Sequence, residues 1–310
     1  MTITPQRQAR AVPIGRPSAL VLALASLAGF VMFAWPLVLP AGPETAQHAV
    51  DAPYLFVAIL PVLVVLVLVQ LTDGGMDAKA LAMLGVLSAV NAAVRPLGAG
   101  TNGIETVFFL LILAGRVLGP GFGFTLGCTS LFASALLTSG VGPWLPFQML
   151  ASAWVGMGAG LLPDTWFGHP LRGRTELALL AGYGILAAYG FGLLMNLWFW
   201  PYLADGTAAD PGLAYVPGAL LADNLSRFAW FTLITSTAVW DTGRAITNVV
   251  LVCVLGTPVL AALRRAARRA NFAPDIAYLP GPSRAAAPVP SSMDPFDELA
   301  VRAGWRRAPR

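Results

Sequence analysis

The feature that most constrains this chain is the length of its apolar runs. Residues 18–39, 53–71, 144–162 and 177–200 each come close to the ~20 residues that cross a bilayer's hydrocarbon core as a helix. Apolar side chains continue around the whole helical circumference instead of forming one stripe, as a helix facing lipid and other helices requires. Barrel strands would alternate with a period of two, and these runs do not. With 57% hydrophobic and only 11% charged residues among 310, the chain carries more apolar surface than one soluble core can bury. The predicted fold class is therefore an all-α, polytopic helical membrane protein.

Spans are expected at 18–39, 53–71, 78–96, 104–118, 122–137, 144–162 and 177–200, with a last one ending at Leu263. Arg7, Arg10 and Arg16 precede the first run, which is too long, and lacks a small-residue cleavage site before His48, to read as a signal peptide. The fourth and fifth runs are short, and the Gly/Pro-rich turn RVLGPGFGF divides what would otherwise be one overlong apolar stretch. Arginines mark orientation: Arg7, Arg10 and Arg16 at the start and Arg264, Arg265, Arg268 and Arg269 near the end place both ends in the cytoplasm, so the number of crossings is even. Eight crossings put Arg116, Arg172 and Arg174 inside and Glu44, Asp51, Asp205 and Asp210 outside. A single straight helix over 224–263 would be about 60 Å long. Residues 228–239 are therefore expected on or dipping into the external face, with the last crossing starting near Ala245. The tail after Asn271, with PGPSRAAAPVPSS, is too poor in apolar residues to fold.

Several chemistries are excluded. The net charge of +4 comes from basic residues at the ends of apolar runs, where they set orientation, so no nucleic-acid partner is expected. Cys128 and Cys253 lie far apart inside apolar runs and read as small core hydrophobes, while His48 and His169 stand alone in loops; no metal site and no cofactor are expected. GAGTNG matches the dinucleotide spacing at Gly98, Gly100 and Gly103, but it follows a membrane helix and no βαβ unit surrounds it. No Walker A sequence occurs, so any ATP-driven step belongs to a partner. The single lysine, Lys79, among many arginines, with abundant Ala, Gly and Pro, fits a GC-rich bacterial genome. The expected location is a bacterial plasma membrane.

Polar side chains at membrane depth are costly and often mark function. On this topology most converge on the external side. Arg95, Asn102 and Glu105 flank the external turn AVRPLGAGTNGIE, Trp144 and Gln148 open the next external turn, SGVGPWLPFQM, and Trp240, Asp241, Arg244 and Asn248 lie at the external end of the last helix. At helical spacing, Thr237, Trp240, Asp241, Arg244 and Asn248 share one face. Aromatic, amide and charged groups converging from three segments suit a small polar ligand with a planar or bulky body. On the alternative reading, Asp241 and Arg244 are a structural pair, the two tryptophans belong to an interfacial belt, and Arg95 snorkels to the surface.

A second pattern is the stripe of small residues Ala78, Ala82, Gly85, Ala89 and Ala93 on the third run. Such a stripe lets another helix approach closely, within this chain or in a partner, because lipid gives helices no hydrophobic reason to associate.

Three segments carry a family resemblance: GIETVFFLLILAGRVLGPGFGFTLG, SALLTSGVGPWLPFQMLASAWVGMGAGLLP, and TSTAVWDTGRAITN followed by an arginine-rich end. Over about 78–270 the chain resembles the substrate-specific S components of energy-coupling factor (ECF) transporters, in their actinobacterial form. The resemblance implies a six-helix S-component core at 78–270 with both ends cytoplasmic and substrate captured near the external face. It also implies a transmembrane scaffold (T) subunit, two ATPase subunits and a vitamin ligand delivered by toppling of the loaded subunit; sequences of this form are associated with cobalamin, while similar folds serve riboflavin, thiamine precursors and other vitamins. In the family an Ala-xxx-Ala pattern on the first core helix contacts the scaffold; Ala78 and Ala82 match it, and Gly85 continues the face. The chain departs from the common form in its two additional transmembrane helices at 18–71, which follow a basic cytoplasmic N-terminus at 1–17; a cytoplasmic tail at 271–310 ends the chain.

Two other classes compete. A membrane-embedded enzyme would be expected to show an Asp-rich metal motif, HExxH, or a Ser with a nearby His within a span, and none occurs. A stand-alone transporter would be expected to show repeated halves or a charged pathway, whereas the middle runs carry almost no ionisable groups.

Overall fold

A computed structural model of the protein describes residues 16–38, 78–98, 103–201, 212–216 and 218–271. Its helices are α1 (Arg16–Val38), α2 (Ala78–Val94), α3 (Val107–Leu118), α4 (Pro120–Leu137), α5 (Leu145–Leu161), α6 (Arg174–Phe199), α7 (Leu221–Thr232) and α8 (Thr242–Asn271). A 3-10 turn, Arg95–Gly98, follows α2, and a π-helical segment, Leu233–Asp241, joins α7 to α8. Among the described residues the one β element is a two-residue hairpin pairing Thr165–Trp166 with His169–Pro170 between α5 and α6. The expected second span at 53–71, the loop carboxylates Glu44, Asp51, Asp205 and Asp210, the termini and Asn102 lie outside the described residues.

Four helical stretches are long and apolar enough to cross a membrane: Ala78–Gly98, Pro120–Leu137, Arg174–Phe199 and Leu221–Arg269. Ser18–Ala34 and Val107–Leu118 are apolar but shorter. This is the composition of a multi-pass membrane protein, and outward faces agree with it: Leu20, Leu24, Val86, Leu186 and Val254 are exposed, as lipid-facing side chains are.

The core sits on α4, whose span is the most enclosed of the four. It packs on α5, α3 and α2. A Cβ at Gly123 would overlap the backbone of Gly156, and one at Gly156 would overlap that of Gly123, so this pair sets the spacing of α4 and α5. Close backbone approach of this kind is how helices associate where water is absent. The expected division of the fourth and fifth runs is present. α3 ends at Leu118, Gly119 turns with φ +107°, and Pro120 opens α4 at the first helical position, where its missing N–H would have no partner in any case. Helix α1 packs on α4, α5, α6 and α7. Phe33, fully buried, packs edge-on against Phe147 with centroids 5.1 Å apart, and Trp154 Nε1 donates to Ser26 Oγ at 3.0 Å.

The last part of the chain departs from expectation. Residues 228–239 are not a separate segment, and no break precedes Ala245; the helix runs unbroken from 221 to 271 through the π segment. The break is expected because one straight helix over 224–263 is longer than a single crossing needs; the hydroxyls of TSTAVWDTGR do not interrupt the helix. Those groups bond within their own helix instead: Thr235 Oγ1 donates to the Phe231 carbonyl at 2.7 Å, Thr242 Oγ1 to that of Thr237 at 2.7 Å, and Thr247 Oγ1 to that of Gly243 at 2.8 Å. Local bonds of this type satisfy polar side chains without ending a helix.

Candidate functional site

Along the bundle, α2 and α4 end, and α3 and α5 begin, at the same end of the molecule, and the polar residues of these termini meet there. Arg95, just past α2, donates from Nη2 to Gln148 Oε1 at 3.1 Å and from Nη1 to Ser134 Oγ at 3.4 Å. It is thus held by α4 and α5, not extended to the surface. Beneath it, Asn91 Nδ2 donates to Ser130 Oγ at 3.0 Å, and the hydroxyls of Ser88 and Thr129 lie 2.7 Å apart. These groups make a polar seam between α2 and α4 inside an otherwise apolar bundle.

The second cluster centres on Arg244. Its Nη1 donates to Asp241 Oδ1 at 2.7 Å, its Nε to Glu105 Oε2, and Nη1 also reaches the Ala188 carbonyl at 3.5 Å. Ser236 Oγ donates to the other Asp241 oxygen at 2.9 Å. The guanidinium lies 5.0 Å from the ring centroid of Phe191 and 5.7 Å from that of Phe108, within cation–π range. Asp241 is 1% exposed. A buried carboxylate is tolerated only with close charged or donor partners, and here both of its oxygens have one.

Backbone features hold this arrangement. Gly103, with φ +79°, packs on the carbonyl of Trp240 where any Cβ would overlap it, which presses the loop before α3 onto the π segment. Thr106 Oγ1 fixes the same loop to the Val94 carbonyl at 2.9 Å. Gly192 leaves the room that the Asp241 carboxylate occupies.

The structure thus brings together Arg95 with Gln148, and Glu105 with Asp241 and Arg244. Asn248 lies one turn below Arg244, fully buried; its Nδ2 donates to the Gly184 carbonyl at 3.2 Å and its Oδ1 has no partner among the described residues. The two tryptophans stand apart from the clusters. Trp144 is 40% exposed with Nε1 donating to the Gly140 carbonyl at 3.2 Å, and Trp240 is 42% exposed. The shared face expected for Thr237, Trp240, Asp241, Arg244 and Asn248 assumes 3.6 residues per turn. Through the π segment the turn is wider, so Ser236, five residues before Asp241, takes the inward place and Trp240 turns out. Ser236, Phe108, Phe191 and Gly192 were not legible as site residues. Asn91 was missed as well, although the same cost of polarity at membrane depth that singles out Arg95 marks it.

At the opposite end is a separate ionic network. Arg116, in the last turn of α3, donates from Nε to Glu176 Oε1 at 2.9 Å, pairs with Asp164 at 3.0 Å, and bonds the carbonyls of Leu162 and Pro163. Arg264, on α8, places Nη2 2.7 Å from each oxygen of Glu176. This network joins the ends of α3, α5, α6 and α8.

The model of one protein family, the ECF transporter substrate-specific component, matches residues 79–257, more than half of the chain. The chain belongs to this family. No curated protein and no solved structure matches it. S components are non-catalytic substrate carriers that generally work with T and ATPase subunits in a membrane-embedded complex, so this chain is a transport subunit and not an enzyme. In this S component the match spans both the Arg95 and the Arg244 clusters. It begins one residue into α2, whose small residues Ala78, Ala82, Gly85, Ala89 and Ala93 lie away from the buried Leu84, Ser88 and Asn91.

Proposed function

We propose that this S component captures a vitamin or related micronutrient, with cobalamin as the leading candidate, at the external face of a bacterial plasma membrane. It delivers the ligand together with a T scaffold and two ATPases. The core is six-helical over 78–270, preceded by a basic cytoplasmic N-terminus (1–17) and two additional helices (18–71) and followed by a cytoplasmic tail (271–310). Arg95, Asn102, Glu105, Trp144, Gln148, Trp240, Asp241, Arg244 and Asn248 form the ligand site. The polar groups fix the ligand's orientation and the exposed tryptophans stack on its body.

The observation that carries this reading is the acid–arginine–acid cluster of Glu105, Arg244 and Asp241, assembled from a loop and the last helix beside the Arg95–Gln148 pair. Ion pairs within a membrane bundle are costly to assemble and commonly line substrate pathways. The stripe from Ala78 to Ala93 supports the partnership: a Cβ at Gly85 meets nothing within 4 Å among the described residues, so this face is open to another helix. The direct experiment is purification in detergent and identification of co-purifying small molecules by mass spectrometry. A vitamin released from the wild type, and absent when Arg244 is replaced, is expected; a purified, folded protein that carries and binds no vitamin contradicts the proposal.

A further inference from the structure

At the end away from Glu105, a cavity of about 350 Å³ opens between the start of α6 and the end of α8, with Glu176 in its wall. Leu177 and Leu260 supply an apolar side, and Arg264, Arg265 and Arg268 supply three guanidinium groups. The charges there do not balance. Glu176, 1% exposed, is shared by Arg116 and Arg264, and Asp164 takes the rest of Arg116. Arg265 and Arg268 are exposed and have no ion pair among the described residues. The first turn of α6 adds backbone N–H groups, because Gly173 at its cap, also lining the cavity, offers no side-chain acceptor.

We propose that this cavity is a binding site for the phosphodiester headgroup of an anionic phospholipid. Arg265 and Arg268 hold the phosphate oxygens, while Leu177 and Leu260 cover the glycerol and the first acyl carbons. Two observations select a lipid as the source of the phosphate. The cavity pairs cationic and apolar walls, which a free anion would use only in part. It also lies at the end of a membrane-spanning helix, where headgroups are concentrated and basic pockets between helices meet them. Arg264 plays a different part, since its pairing with Glu176 keeps the buried carboxylate neutralised and leaves the other two arginines free for the ligand.

The test is native mass spectrometry of the full chain released from micelles doped equally with phosphatidylglycerol and phosphatidylcholine. Wild type is expected to retain phosphatidylglycerol in preference, and the preference should fall in Arg265→Gln plus Arg268→Gln. The fall is about fivefold for each arginine and so roughly twenty-fivefold for the pair. Arg269→Gln, at the same helix end but outside the cavity lining, should leave it unchanged. Inorganic phosphate in large excess should not displace the lipid. Equal retention of the two lipids by wild type, or an Arg269→Gln effect as large as that of the double variant, overturns the site. Displacement by inorganic phosphate makes it a free-anion site and overturns the lipid assignment. An unchanged lipid preference in the double variant, with loss of T-subunit pull-down, assigns the arginines to a protein contact instead.

Discussion

The Asp241 carboxylate occupies the space that a Cβ on Gly192 would fill. Gly192→Ala therefore pushes Asp241 away from Arg244 and Ser236. Helix propensity alone favours alanine by about 1 kcal/mol, but leaving a buried, charged hydrogen-bonding group unpaired costs about 1–3 kcal/mol or more. The net effect is destabilising. Gly190, on the same helix with nothing within 4 Å of its Cβ position, is the control. In detergent, thermal unfolding of Gly192→Ala is expected below wild type and that of Gly190→Ala at or above it. Equal shifts would mean that the Asp241 carboxylate has room to move at no cost.

At the other end, Glu176→Gln leaves Arg116, whose side chain is 3% exposed, with only the partly exposed Asp164 for compensation. Removing one partner of a buried pair costs about 3–5 kcal/mol. Asp164→Asn, at a side chain 32% exposed and with Glu176 still in place beside Arg116, should cost less. Chemical denaturation in mild detergent distinguishes the two, and comparable losses would contradict the assignment of Glu176 as the hub of this network.

For the stripe on α2, Ala82→Leu and Gly85→Leu should leave unfolding temperature and ligand affinity close to wild type while weakening pull-down of the T subunit, because a bulky side chain on an outward face prevents close helix approach. Misfolding with pull-down intact would place the stripe against another part of this chain.

The helical bundle was readable because span length follows from the bilayer itself, and Gly119-Pro120 announces the turn between α3 and α4. Arg95, Glu105, Gln148 and Arg244 stood out for a related reason: a polar group in an apolar run has few innocent explanations. What surrounds them was not readable. Phe108 and Phe191 are ordinary core residues by type and become partners of a cation only when α3, α6 and the last helix meet. The π segment is likewise invisible to a 3.6-residue period, and it decides that Ser236 faces Asp241 while Trp240 faces outward. The break expected near Ala245 rested on length, because one straight helix over 224–263 is longer than a single crossing needs, yet the chain continues as one helix with the Thr235, Thr242 and Thr247 hydroxyls bonded within it.

The central claim, that the Arg244 cluster is the ligand site of this S component, is tested most directly by calorimetric titration of the co-purified small molecule into wild type and Arg244→Ala, with Gln148→Ala as a variant that removes no charge. Loss of one buried polar contact to a ligand costs about 1–3 kcal/mol, which is roughly tenfold to a hundredfold in affinity. Both variants, if they insert and unfold cooperatively, are expected to bind within or beyond that range of weakening. Wild-type affinity in both would contradict the account, leaving Arg95–Gln148 and Glu105–Arg244–Asp241 as ties that hold the bundle together and placing the ligand elsewhere.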